Sequence, residues 1–119
     1  MPQWYLVKLE LAPSKDFPRG SPSRAYLLRL PLTAAGEIDD AALTASPKAA
    51  FVRRYWPDQP DCSGLVRRNA AGWSLDYGDG SGALRGYLDQ GRIETGGVVQ
   101  IVGLDGVSKA FRVVSVRPD

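Results

Sequence analysis

The sequence of 119 residues contains no histidine and only one cysteine, Cys62. Without histidine, a serine–histidine triad, histidine acid–base catalysis and histidine metal sites are excluded. With one cysteine, an internal disulfide and a cysteine-based zinc site are excluded as well. No catalytic residue, metal or cofactor is therefore predicted, and an enzyme is the less favoured class of protein.

The sequence also lacks a long apolar run and a strong excess of one charge. No stretch approaches the roughly 18 apolar residues of a membrane span, and no signal peptide is recognisable after Met1. Together with the missing disulfide framework, this predicts a cytoplasmic protein without membrane contact. The net charge of +2 gives little support to a dedicated nucleic-acid binder, which usually carries a clear basic excess.

Turn-forming residues are abundant, with 13 glycines and 9 prolines. They favour short strands over long helices. The length fits a single domain over residues 1–119, and an apolar fraction of 44% supplies one ordinary core. Eleven arginines against four lysines, with frequent alanine and glycine, are typical of a GC-rich bacterial genome.

The first half of the chain alternates as half-buried strands do. Residues 4–11 and 24–33 predict strands with one apolar face each. Residues 50–56 predict a third strand, in which each face carries one arginine, Arg53 or Arg54. Pro31 cannot donate to a strand ladder, which predicts an edge or a bulge there. Between the second and third strands, Asp39 or Asp40 is predicted to cap a short helical turn that ends before Pro47.

The second half predicts two hairpins. Residues 57–64 hold two prolines and are predicted to be a loop, residues 65–69 and 73–77 form the first hairpin, and a short strand over 83–88 follows. Asp105-Gly106 is a strong turn signal for the second hairpin, over 98–116. With a two-residue turn, this hairpin has two largely apolar faces, which predicts self-association or a covering segment. The fold class is mainly all-β, a small β-barrel or compact sandwich of about six to seven short antiparallel strands with one helical turn.

The clearest candidate site is a cluster of arginines and aromatic residues. Guanidinium groups bind phosphates and aromatic faces stack on bases, so such a β surface suits single-stranded nucleic acid. The competing interpretation is structural, with Arg68 stacked on Trp73 and Arg67 paired diagonally with Asp76. The cluster comprises Arg53, Arg54, Tyr55, Trp56, Arg67, Arg68 and Trp73.

Two sets of residues that contain aspartates are weaker candidate sites. The segment 76–82 places two aspartates among glycines, but its spacing fits neither an EF-hand nor a P-loop, and it is typical of a plain turn. Asp58, Asp61 and Cys62 have no histidine to act as their base. Four lysines remain as nucleophiles, and nothing distinguishes one of them.

Three functions remain open at this point. The first is a small non-catalytic binding or interaction module, with an unknown protein partner or self-association through the 98–116 hairpin. The second is a single-stranded nucleic-acid binder that uses the arginine–aromatic surface. The third is a carboxylate- or metal-dependent enzyme. Fold alone does not choose among them, because small barrels host many functions.

Overall fold

The computed structural model describes residues 3–69, 72–78, 85–88 and 92–119. These residues form strands that are all paired antiparallel, and one short helix. In chain order the elements are β1 (Gln3–Leu11), β2 (Ser21–Leu32), α1 (Asp40–Ala45), β3 (Phe51–Trp56), β4 (Gln59–Asn69), β5 (Gly72–Tyr77), β6 (Arg85–Leu88), β7 (Val98–Val102) and β8 (Ser108–Pro118).

The sheet closes into a barrel in which each strand lies beside the next one along the chain. Closure occurs at β1, where Val7 lies opposite Leu28 of β2 on one side and Val116 of β8 on the other. The predicted all-β class is confirmed. The architecture is the barrel rather than the sandwich, and it has eight strands where the sequence indicated six or seven.

Alternating side chains fill the barrel, as expected when successive residues of a strand point to opposite faces. An eight-stranded barrel has an interior just wide enough to be packed by side chains. The largest fully buried side chains include Val7, Leu9, Tyr26, Leu28, Leu30, Val52, Val66, Trp73, Leu75, Ile101, Phe111 and Val113.

The predicted helical turn is confirmed as α1. Asp39 is its N-cap, and the Asp39 Oδ1 atom accepts a hydrogen bond from the Ala42 backbone N–H at 3.1 Å. This bond satisfies one of the backbone donors that a helix start leaves free. Leu43 is buried and anchors the turn to the core.

Pro31 lies inside β2 rather than on a sheet edge. It pairs with Trp4 of β1, whereas the ladder between β2 and β3 ends at Arg29 opposite Phe51. Pro31 is therefore beyond the reach of β3, and its missing N–H removes no bond from that ladder. Its carbonyl accepts a bond from the Asp39 N–H at 2.8 Å, which ties the start of the helix to β2.

The loop predicted over 57–64 is wrong, because β4 already begins at Gln59. Gln59 pairs with Trp56, so the connection from β3 is a tight turn. The described pairing of β4 with β5 begins only at Gly64. Pro60 thus lies where β4 pairs with β3 alone among the described strands, and a proline is tolerated in such a position.

The register predicted for the 98–116 hairpin is also wrong, by one residue. Ile101 lies opposite Lys109, because the chain turns over Gly103–Val107 instead of over two residues only. Shifting a register by one residue moves every side chain to the other face. One face of this hairpin is therefore core, and the other is mixed, with Gln100 and Arg112 beside the exposed Val98.

Candidate binding site at one mouth of the barrel

One mouth of the barrel holds a cavity of about 160 Å³. It lies at the end where β3 turns into β4 and β7 turns into β8. We call it the mouth cavity. It is lined by Tyr26, Arg54, Trp56, Gln59, Ile101, Gly103, Leu104, Asp105, Val107, Lys109 and Phe111.

Arg54 is the unusual residue of this cavity. Strand alternation places it on the inner face beside Val52, directly opposite Tyr26, and only 7% of its surface is exposed. Its Nη1 atom donates a hydrogen bond to Gln59 Oε1 at 2.8 Å, and its guanidinium carbon lies 4.1 Å from the centroid of the Trp56 ring. Gln59 and Trp56 thus hold the guanidinium in place from two sides.

The charge of Arg54 has no counter-charge in the described part of the chain. None of the salt bridges among the described residues includes Arg54, and its buried Nε atom has no hydrogen-bond partner. A buried charge without a partner is costly, because the protein interior solvates it worse than water does. The half-buried Arg29 differs, since it pairs with Asp119.

A second cation, Lys109, approaches the same cavity from β8. Its Nζ atom lies 5.5 Å from the centroid of the Trp56 ring. Asp105 is the one carboxylate in the lining, and its Oδ1 atom already accepts a bond from the Val107 N–H at 3.0 Å. Two cations and one carboxylate leave the lining with a formal charge of +1.

The walls of the cavity are aromatic. Tyr26 contacts Phe111 edge to face, with ring centroids 5.0 Å apart, and Trp56 lies within 6.4 Å of both rings. Such offset arrangements are the favourable ones for aromatic pairs. The three rings form a rigid apolar wall beside the two cations.

Two tyrosine hydroxyls lie near Arg54. Burial raises the pKa of Tyr26 above its ordinary value, although the nearby Arg54 guanidinium opposes this shift. Burial also raises the pKa of Tyr77, and the neighbouring Tyr26 adds to the effect. Both phenols therefore stay neutral at physiological pH, and neither supplies a negative charge to Arg54.

The seven residues of the predicted arginine–aromatic cluster lie in three places. Arg54 and Trp56 line the mouth cavity. Arg68 and the buried Trp73 lie towards the opposite end of the barrel, with the Arg68 guanidinium 4.9 Å from the Trp73 ring centroid. The remaining members, on the outer face, are Arg53, Tyr55 and Arg67.

The pairings that the structural interpretation predicted are confirmed. The Arg67 Nε atom lies 3.4 Å from an oxygen of Asp76, and Arg68 stacks on Trp73. Asp76 also pairs with Arg85, whose Nε atom donates to Asp76 Oδ1 at 2.6 Å. The two ion pairs of Asp76 join β4, β5 and β6 on the outer face of the barrel.

The carboxylate candidates do not converge in the described residues. Asp58 and Asp61 are exposed, and the Cys62 thiol donates to the Pro60 carbonyl at 3.7 Å. Within the described ranges, no three side chains of the metal-binding types come together. Of the glycine-rich candidate segment, residues 79–82 lie outside the described residues.

Sequence reasoning missed most of the mouth cavity. Tyr26, Gln59, Lys109 and Phe111 come from three different strands. A two-residue turn at Asp105-Gly106 would place Lys109 opposite Val102, but the observed register places it opposite Ile101, with its side chain towards the cavity. The available signal was Arg54, which shares a strand face with Val52 and Trp56.

Comparison with known proteins found no match: no protein-family model, no curated protein and no solved structure is similar to this chain. The one helix in the described ranges is too short to cross a membrane.

Proposed function

We propose that this domain is a non-catalytic binding module that takes a small molecule into the mouth cavity. The observation that carries the proposal is a preformed cavity in which aromatic walls surround a few polar groups. Sites for small molecules are typically concave and combine apolar walls with a few placed polar groups, and barrel mouths are among their usual places. The domain needs no reactive group for this role.

The size of the cavity restricts the ligand to a small compound. A cavity of about 150 Å³ lined by apolar side chains is known to admit benzene, and the mouth cavity is close to that, at about 160 Å³. We therefore expect a ligand built on one ring or a short branched chain. A longer ligand would extend out of the mouth, past Leu104 and Val107 of the β7–β8 turn.

Nucleic-acid binding, a carboxylate- or metal-dependent enzyme, and self-association or a protein partner all stay predictions. A single strand of nucleic acid would have to use the outer arginines, because Trp73 is only 1% exposed and Trp56 is packed against Tyr26 and Arg54. Self-association through the 98–116 hairpin would rest on the exposed Val98 and Val107. The cytoplasmic location belongs to the proposal as well, and it rests on the single cysteine.

Screening a set of one-ring compounds, neutral, anionic and cationic, by ligand-observed NMR tests the proposal. We expect some of them to bind, and we expect Leu104→Trp to weaken this binding because the larger ring fills the entrance. Val98→Trp is the matched control, since Val98 is exposed on the outer face. The proposal fails if no compound of any charge binds, or if Leu104→Trp binds as the unaltered protein does.

Single-stranded RNA of mixed sequence serves as the comparison ligand. Binding of RNA that weakens steeply with salt, and that is lost in Arg53→Ala and Arg67→Ala, would favour the nucleic-acid function instead. These two arginines lie on the outer face and do not line the mouth cavity.

A further inference from the structure

We infer that the mouth cavity binds a small organic anion whose negative group lies against Arg54 and whose apolar part lies against the aromatic wall. The inference rests on the proposed function, namely that a small molecule binds at this mouth, and it adds the chemical class of that molecule. It is argued from the charge, the hydrogen bonds and the wall of the cavity.

The charge of Arg54 favours an anionic ligand. The side chain is more than nine-tenths buried, no described carboxylate lies within salt-bridge distance, and its Nε atom has no acceptor. A guanidinium carries five N–H donors in one plane, and this geometry matches a carboxylate. An anion entering the cavity would supply the counter-charge that the described residues do not.

The Arg54 guanidinium is held in place before any ligand arrives. Gln59 accepts the Nη1 hydrogen bond, and Trp56 lies against the guanidinium face. A side chain fixed in this way loses little further freedom on binding, which favours affinity. Gln59 is therefore a positioning residue, since it acts on the ligand through Arg54.

The net charge of the cavity lining is positive. Lys109 adds a second positive charge, and Asp105 subtracts one, so the lining keeps an excess of +1. Neither Lys109 nor Arg54 forms a salt bridge with Asp105. The two cations therefore remain available to an anion, whereas a cationic ligand would meet an unfavourable field.

The exposed apolar side of the cavity favours an organic anion over an inorganic one. Leu104 and Val107 form this side, next to the Trp56 ring. Sulfate or phosphate would leave this side without a partner, whereas a ring or a branched chain would cover it and gain from its burial. A carboxylate that carries one ring would place its charge against Arg54 and its ring against the apolar side of the cavity.

Benzoate is the probe that we would use, with benzyl alcohol, benzylamine and sulfate as comparisons at constant ionic strength. Tryptophan fluorescence reports binding through Trp56, and the reactivity of the single thiol, Cys62, gives a second readout, since Cys62 lies opposite Arg54. We expect benzoate to bind more tightly than any of the other three compounds. Equal binding of benzyl alcohol, or tighter binding of benzylamine, would overturn the inference.

Variants separate the role of Arg54 from that of charge in general. Because hydrogen bonds to charged groups contribute about 1.5–3 kcal/mol, Arg54→Met is expected to weaken benzoate roughly tenfold or more. Arg53→Met is the matched control, because this arginine lies on the outer face of the same strand, and we expect no change there. Unchanged binding in Arg54→Met would contradict the inference.

Asp105→Asn tests the same inference in the opposite direction, without altering Arg54. The amide oxygen of asparagine can still accept the bond from Val107, so the turn is kept while the negative charge is removed. We expect benzoate to bind several times more tightly, and weaker binding would contradict the inference. If neutral compounds bind at the mouth but benzoate does not, the anion inference fails and the proposed function stands. If no compound of any charge binds, both fail.

Discussion

At the scale of single residues, Arg54 stands out on the inner face of the barrel because it is both charged and buried. The inward positions of β1 from Tyr5 to Leu11, of β2 from Tyr26 to Leu32 and of β5 are apolar or aromatic, whereas β3 carries Arg54 inward, opposite Tyr26. Departures from an otherwise consistent pattern are expected at functional sites. The stability of the ligand-free domain offers a test of this view.

We expect Arg54→Met to leave the ligand-free domain as stable as before, or to stabilise it by about 1 kcal/mol, because an unpaired buried charge is removed. The lost contacts with Gln59 and Trp56 work against this gain. Urea unfolding measures the difference, with Arg53→Met as the control for loss of an exposed arginine. A loss of about 3 kcal/mol or more would mean that Arg54 is a structural residue.

Tyr26 and Tyr77 give a prediction about alkaline pH. Their pKa values are raised in the folded state by burial, whereas an unfolded chain ionises tyrosine near pH 10. Above about pH 10 the folded state therefore holds more protons than the unfolded state, so stability falls as the pH rises. We expect two of the five tyrosines to ionise only when the barrel unfolds.

Tyrosinate absorbance during an alkaline titration measures the ionisation of the tyrosines. The double variant Tyr26→Phe/Tyr77→Phe should lack the late increase in absorbance that accompanies unfolding, while the earlier increase remains. If the late increase persists in the double variant, or if all tyrosines ionise before the fold is lost, the account of these two phenols is wrong.

At the scale of elements, local alternation predicted the strands and the helical turn in the first half of the chain. β1, β2, β3 and α1 have clear periodic patterns or cap residues within a few positions. The sequence pattern did not predict the start of β4, because two nearby prolines, Pro57 and Pro60, are typical of a loop. Pro60 is tolerated in this part of β4 because the strand pairs only with β3 there, among the described strands.

The mouth cavity was less predictable, because it depends on registers between strands. A turn of Gly103–Val107 instead of Asp105-Gly106 alone exchanges the two faces of the last hairpin. That error hid Lys109, and it also produced a second apolar face that the hairpin does not have. Turn length is set by tertiary packing as well as by the dipeptide, so the sequence pattern could not decide it.

Gly64 gives a prediction at this scale. A Cβ atom at this position in β4 would clash with the Asp76 carbonyl oxygen of β5, which is backbone and cannot move aside cheaply. We expect Gly64→Ala to destabilise the domain by about 1–3 kcal/mol, as overpacking does. Ser63→Ala, at the exposed neighbouring position, is the control and should change stability by less than about 0.5 kcal/mol. Equal effects in the two variants would contradict the close approach of β4 and β5.

At the scale of the whole molecule, closure joins the two ends of the described chain. The pairing of β1 with β8 links residues about a hundred positions apart, and no local pattern reveals it. The sequence therefore left barrel and sandwich open, although it predicted the all-β class. Closure also removes exposed strand edges, which are otherwise sites of strand addition.

Amide hydrogen exchange tests closure directly. We expect the paired amides of β1 and β8 to exchange as slowly as those of β3 and β4, because all four strands have a neighbour on each side. Fast exchange along the whole of β8 would show that the sheet is open between β1 and β8.

The central claim concerns the mouth cavity, and ¹H–¹⁵N NMR spectra recorded during a titration with benzoate test it most directly. The account predicts that the amide signals that shift cluster at the mouth, in Arg54, Trp56, Gln59 and the segment Gly103–Lys109. The account is contradicted if no amide signal shifts. It is also contradicted if the shifts spread to residues on the outer face of the barrel, such as Arg53, Ser63 and Arg67.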